Sequence, residues 1–251
     1  MSNKLRKILS VLLILIILAS GYVIVDEYIN GNKQTNEVKN LKSLIAKNIN
    51  VDAGEKFNRQ SWEELEEQNS DFVGYLFVDD VVDQPVLQTD DNEYYLSRTF
   101  NKEYVYSNGA PFMDHRSLLT DDNIIIYGHN NSFIQDQTFS HLNDIILDQS
   151  YYEEHSVIEF YLENEVRTYN ICYAYYLTEE EYQHYAFDQS TFFDYADFSN
   201  FISHARDNSK ITSIHDEAYF GDKLLTLQTC KRMNQDVKVI IVAKEVGRRY
   251  Y

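Results

Sequence analysis

The chain is short of proline, glycine and cysteine. Two prolines and eight glycines in 251 residues exclude a collagen-like or linker-like polymer, which needs these residues in bulk. Two cysteines, Cys172 and Cys230, exclude a disulfide-stapled scaffold; one bridge between them or two free thiols remain. Basic residues are also few: 22 Lys and Arg against 40 Asp and Glu give a net charge of −18. Such a surface repels nucleic acid and anionic lipid, so no nucleic-acid partner is expected. Repeats and low-complexity tracts are lacking. His115, His141, His155, His184, His204 and His215 share no ligand-spaced face, so neither a metal site nor a cofactor is expected. The acid pairs Asp79-Asp80, Asp90-Asp91 and Asp121-Asp122, and Glu179 to Glu181, lack the alternating oxygen ligands of a calcium loop and read as solvated turns.

What the chain does contain is apolar and aromatic. At 44% hydrophobic residues it can build a core without covalent help. Twenty-one tyrosines and fourteen phenylalanines favour aromatic-rich strands over Ala/Leu-rich helices.

Residues 8–25, ILSVLLILIILASGYVIV, carry no charge and approach the ~20 residues needed to span a bilayer. Lys4, Arg6 and Lys7 precede them, and Asp26 and Glu27 follow. The bias places residues 1–7 in the cytoplasm and the rest outside, a single-pass anchor. A cleaved signal peptide is the rival, because Ala19-Ser20-Gly21 offers small residues. Residues 26–70 read as a helical region. Val38, Leu41, Leu44, Ile45 and Ile49 step by threes and fours along one helix. Ser61-Trp-Glu-Glu64 has the form of a capping box, with Ser61 as cap of a helix from Trp62 to Gln68.

From residue 71 the period changes to that of strands. Phe72–Val78, Gln84–Gln88, Ile124–Tyr127, Val157–Leu162, Arg167–Leu177, Leu224–Thr229 and Val237–Val246 are the candidates, spaced as in an antiparallel barrel or sandwich. Helical turns are expected at Asp91–Leu96 and Phe139–Leu147. Glu179 to Asn208 is a long acidic and aromatic insertion between two strands, helical over Asp197–Arg206, where a substrate-shaping element often sits. Its aromatic stretch, Phe187 to Phe201, fits a peptide groove or helix packing equally.

Two strings carry the chemistry. Asn123-Ile-Ile-Ile-Tyr-Gly-His129 and Leu224-Leu-Thr-Leu-Gln-Thr-Cys230 are strands that each end on a reactive side chain. A thiol on a rigid strand end with an imidazole partner is the arrangement of a cysteine nucleophile and its proton carrier. Cys172 lies within a strand and reads as a small packed residue, leaving Cys230 free. Asn130 and Asn131 follow His129 too closely to be judged as a third member. Lys231, Arg232 and Lys238 lie near Cys230 in sequence.

The ordered set Gly74-Tyr-Leu, Gln84-Pro-Val-Leu-Gln88, Asn92-Glu-Tyr-Tyr-Leu96, Ile125-Ile-Tyr-Gly-His129-Asn and Thr226-Leu-Gln-Thr-Cys230 resembles the sortases, and class B most. The resemblance runs from Leu41 to Val246. It implies a mostly-β fold, a closed antiparallel barrel over residues 71–251, with N-terminal helices and a helical insertion between late strands. It implies a transpeptidase on the outer membrane face of a Gram-positive cell. Cys230 would attack a Thr–Gly or similar bond in the C-terminal sorting signal of a surface protein or pilin, forming a thioacyl-enzyme. An amine, from a peptidoglycan cross-bridge or a pilin lysine, would resolve it. His129 matches the family's proton donor and acceptor. The family's arginine on the strand after the cysteine is where this chain departs: Lys238 stands at the matching position, and Arg232 is the nearest arginine. Arginine offers a planar fork to an oxyanion and lysine a point charge, so both residues are candidates for the cationic role.

Two rivals come from other classes. An exported papain-like protease would place its cysteine early, at a helix start, before the histidine; here the order is reversed. A membrane-tethered binding domain would keep the barrel without needing a reactive thiol.

Overall fold

The computed structural model describes residues 3–105, 108–130, 138–182, 184–185, 187–231 and 234–250. Helix α1, Asn3–Asn48, opens the chain and is followed by α2, Arg59–Gln68. Among the described residues, one helix is long and apolar enough to cross a membrane, over Asn3–Val25, and none of that stretch is buried against the rest of the chain. The two helical segments expected on either side of Val25 are therefore one helix; no proline interrupts them. Leu41 and Ile45, on the distal half of α1, bury against Trp62, Leu65, Phe72 and Tyr75.

Helix α2 starts earlier than expected. Its cap is Asn58, whose side-chain oxygen accepts from the Ser61 N–H at 3.0 Å. Ser61 is buried one turn inside the helix. Asn58 also donates from Nδ2 to the Asn48 carbonyl at 2.6 Å, joining the ends of α1 and α2. A residue satisfying both helix termini outcompetes a serine that can serve only one.

Eight strands follow: β1 Phe72–Val78, β2 Val82–Leu87, β3 Phe112–Met113, β4 Asn123–Tyr127, β5 Val157–Tyr161, β6 Glu165–Thr178, β7 Leu224–Lys231 and β8 Asn234–Tyr250. They close into a barrel in the order β1-β2-β3-β4-β7-β8-β6-β5. Six of the neighbour pairs are antiparallel, as expected throughout; β2–β3 and β4–β7 are parallel. The β4–β7 pair can be parallel because about a hundred residues separate the strands, ample for a crossover. Helices α3, Leu142–Leu147, and α4, Gln149–Glu154, lie in that crossover, and so does the insertion with α5, Glu179–Tyr182, and α6, Tyr195–Asn208.

Period-2 alternation sorts the side chains into two layers. Leu225 and Leu227 of β7, Ile124 and Ile126 of β4, and Val239 and Ile241 of β8 fill the barrel. Leu224 of β7 and Ile240 and Val242 of β8 point outward and are covered by Phe198, Phe201 and Ile202 of α6. The aromatic stretch of the insertion thus mainly packs α6 onto the barrel wall. Cys172 belongs to this outer layer, 1% exposed, and both cysteines are free thiols.

Candidate active site

Cys230 and His129 continue the outward-facing registers of β7 and β4. The last paired residues of these parallel strands are Tyr127 and Gln228, and the Gly128 N–H still donates to the Gln228 carbonyl at 3.0 Å. Each reactive residue follows as the next outward position on its strand. Gly128 is required there: a Cβ would lie 2.6 Å from the Phe139 ring. With the ring packed against it, Phe139 N–H donates to the His129 carbonyl at 3.0 Å, and the Thr138 hydroxyl donates to the same oxygen.

Lys238 reaches the sulfur from β8. Cys230 and Lys238 are direct cross-strand partners in the antiparallel β7–β8 pair, where opposed side chains on one face stand close enough to touch. Lys238 Nζ lies 3.5 Å from Cys230 Sγ. The register shifts immediately after Cys230, as at a bulge that re-aims a side chain. Arg232, the other cationic candidate, and Asn131 lie outside the described residues. Asn130 is buried.

His129 is half-buried rather than on an exposed strand end. Its Nε2 stands 2.8 Å from the Leu96 carbonyl. A carbonyl only accepts, so Nε2 carries the proton and Nδ1 is the basic nitrogen of the neutral ring. Burial lowers the imidazole below its ordinary range; the Leu96 carbonyl opposes this, and the nearby charge of Lys238 adds to the lowering. The ring is therefore neutral at pH 7. In contrast, burial pushes the Cys172 thiol up to about 11, leaving it protonated and inert.

These residues open onto a groove of about 580 Å³. One wall is the turn carrying Asn92 and Leu96; the other is the insertion, with Glu179, Tyr182 and Phe187. Tyr127, Gln228, Cys230, Lys238 and Asp236, from the barrel strands, line the floor. The turn is a 3-10 helix, Tyr94–Ser97, started by Asp91, whose carboxylate accepts from the Glu93 and Tyr94 N–H groups at 2.7 Å each. Gly109 lets the following segment close on it, since a Cβ there would lie 1.7 Å from the Tyr95 carbonyl oxygen.

Beneath the floor is a residue the sequence reading passed over. Asp114 is fully buried and accepts from Asn92, Arg116 and Tyr127. Burial alone would raise its carboxyl, but these donors outweigh it and hold it well below the ordinary carboxylate range. The local signal was an Asp-x-Arg pair between two strands, too common a pattern to single out.

The groove thus offers a thiol, a facing ammonium, a neutral imidazole and room for an extended peptide, which is sufficient for acyl transfer through a thioester. The family model of the sortase domain matches residues 80–246. Sortase B of Staphylococcus aureus is 29% identical over 244 residues, 94% of this chain and 95% of that protein. Among solved structures, a Staphylococcus aureus sortase B–substrate complex superimposes with a TM-score of 0.71 at 27% identity, covering 89% of this chain and 99% of that one. A sortase B complexed with triglycine gives a TM-score of 0.73 at 26% identity, covering 86% and 98%. The chain belongs to the sortase family as a class B member, a cysteine transpeptidase.

Proposed function

We propose that this protein is a membrane-anchored enzyme of the outer face that joins surface proteins to the cell wall, with Cys230 as nucleophile, His129 as proton carrier and Lys238 as the oxyanion cation. In this division of the chain, residues 1–7 are cytoplasmic and 8–25 span the membrane. Residues 26–70 bridge to the catalytic barrel of 71–251.

The neutral His129 ring takes the thiol proton as Cys230 sulfur attacks the carbonyl of a sorting signal. Negative charge develops on the carbonyl oxygen beside the Lys238 ammonium, which stabilises it. The imidazolium then protonates the leaving amine as the C–N bond breaks, and a thioester remains on Cys230. An incoming primary amine gives its proton to His129, attacks the thioester carbonyl and releases the thiolate, which takes that proton from the imidazolium to restore the starting thiol. A similar enzyme solved with triglycine supports a glycine-type amine of a cross-bridge as acceptor. A pilin lysine is the other acceptor of this chemistry.

The observation carrying this reading is the 3.5 Å approach of Lys238 Nζ to Cys230 Sγ in the groove that also holds His129. It is tested with the full chain in detergent micelles, given candidate sorting peptides and triglycine. Ligated product that disappears in Cys230→Ala supports it. Hydrolysis alone, unchanged by triglycine, contradicts the transferase assignment.

A further inference from the structure

Asp114 gathers five donors on two oxygens. Its Oδ1 accepts from the Arg116 backbone N–H at 2.8 Å and from Arg116 Nε at 2.9 Å. Its Oδ2 accepts from Arg116 Nη2 at 2.8 Å, the Tyr127 hydroxyl at 2.7 Å and Asn92 Nδ2 at 3.0 Å. A buried carboxylate is costly unless it is paired and hydrogen-bonded in this way.

The donors come from the turn, from β4 and from the loop after β3. Asn92 is held at both ends, because its Oδ1 accepts from the His115 N–H at 2.8 Å; the amide cannot flip, and the turn that begins there is fixed. That turn supplies the Leu96 carbonyl that meets His129 Nε2 at 2.8 Å. Tyr127 stands two residues before His129 on the same face of β4. Arg116 Nη2 also bonds Asp188 at 2.7 Å, tying in the insertion next to Phe187. A purely structural joint needs no charge, whereas this one ends on the group that orients the imidazole.

We propose that Asp114 is the positioning residue of this active site, fixing the His129 ring through Asn92 and the Leu96 carbonyl and fixing the groove floor through Tyr127. The inference rests on His129 as the proton carrier. Asp114 touches no reacting atom and passes no proton. It sets where the ring stands, and a misplacement of about 1 Å costs on the order of 10²-fold in rate.

The test uses full-length protein in detergent micelles carrying isotope-labelled histidine. Asp114→Asn keeps the shape but removes the charge and puts an amide NH2, itself a donor, where an oxygen accepted from donors. Asn92→Ala, which serves if the first variant does not fold, removes the bonds to Asp114 and to the His115 N–H together with a groove-wall side chain, so the His129 titration is read beside turnover. The titratable and charged groups sharing the groove with the ring are Cys230, Lys238, Glu179, Tyr182, Asp236 and Tyr127; neither variant replaces any of them, and only Tyr127 bonds a replaced residue, in Asp114→Asn.

In each folded variant the His129 resonances should titrate at a higher pH than in the wild type, as the loosened ring gains solvent. The turnover number should fall at least tenfold with the melting temperature of Asn92→Ala within a few degrees of wild type. A folded variant with wild-type His129 titration and turnover overturns the proposal. If the wild type forms no adduct on Cys230, the reaction assignment fails, and the histidine titration still decides whether Asp114 places the ring.

Discussion

Lys238 faces Cys230 across one antiparallel pair, with Nζ 3.5 Å from Sγ. The sequence offered two cations for this place. The register of β7 and β8 puts Lys238 beside the sulfur, while Arg232 lies outside the described residues. A lysine brings charge without arginine's planar pair of donors, and that difference is measurable.

Lys238→Ala is expected to slow thioacyl formation by about 10²–10³-fold, the usual loss when one oxyanion donor is removed. Lys238→Arg should recover most of the rate. Rapid-quench measurement of acylation decides it; an alanine variant acylating at the wild-type rate removes Lys238 from the mechanism.

Burial lowers the His129 imidazole from its ordinary value of 6.5. In the proposed mechanism the neutral ring accepts the thiol proton, so activity is lost on the acid side as the pH falls through this lowered value. The acid midpoint of kcat/KM should therefore lie below pH 6.5. A midpoint of 6.5 or above would show that burial does not lower the ring and would contradict its seat against Leu96.

The two thiols differ in environment: Cys172 is buried and pushed up to about 11, and Cys230 borders the groove. A maleimide reagent at pH 7 should label Cys230 and leave Cys172 untouched in native protein. Equal labelling of both, located by peptide mapping, would contradict this packing.

Asp114 sits well below the ordinary carboxylate range. A depressed carboxyl contributes stability above its unfolded value, about pH 4, and loses it as the pH falls through the lower folded value. The melting-temperature gap between wild type and Asp114→Asn should therefore be widest at neutral pH and shrink on the acid side. A constant gap from pH 7 to pH 2 would separate the destabilisation from the charge.

Asn58 caps α2 and bonds the end of α1. Asn58→Ala should cost about 1 kcal/mol, a fall of about 2–4 °C for a chain of this size. Ser61→Ala should cost less in thermal melts. The reverse order would restore Ser61 as the cap.

Much of the fold was legible because strand patterning is local. Phe72–Val78 matches its strand end to end, and the run before Cys230 lies within β7. Strand β3, of two residues, is too short for any period to register. The parallel pairing of β4 with β7 was hidden because patterning marks strands and not their neighbours. The cap moved from Ser61 to Asn58 because a contact ten residues back, to Asn48, decides it. The thiol and the imidazole stood out since each ends an apolar run. Asp114 did not, because its meaning lies in Asn92 and Tyr127, 22 and 13 residues away. A buried hub is defined by the partners that folding brings to it.

The central claim is that Cys230 carries the acyl group. Full-length protein incubated with a sorting peptide and no amine, then quenched in acid and mapped by mass spectrometry, tests it most directly. A thioester on the Cys230 peptide, discharged by added triglycine and missing in Cys230→Ala, is the expected result. An adduct on Cys172, or cleavage of the peptide that persists in Cys230→Ala, would contradict it.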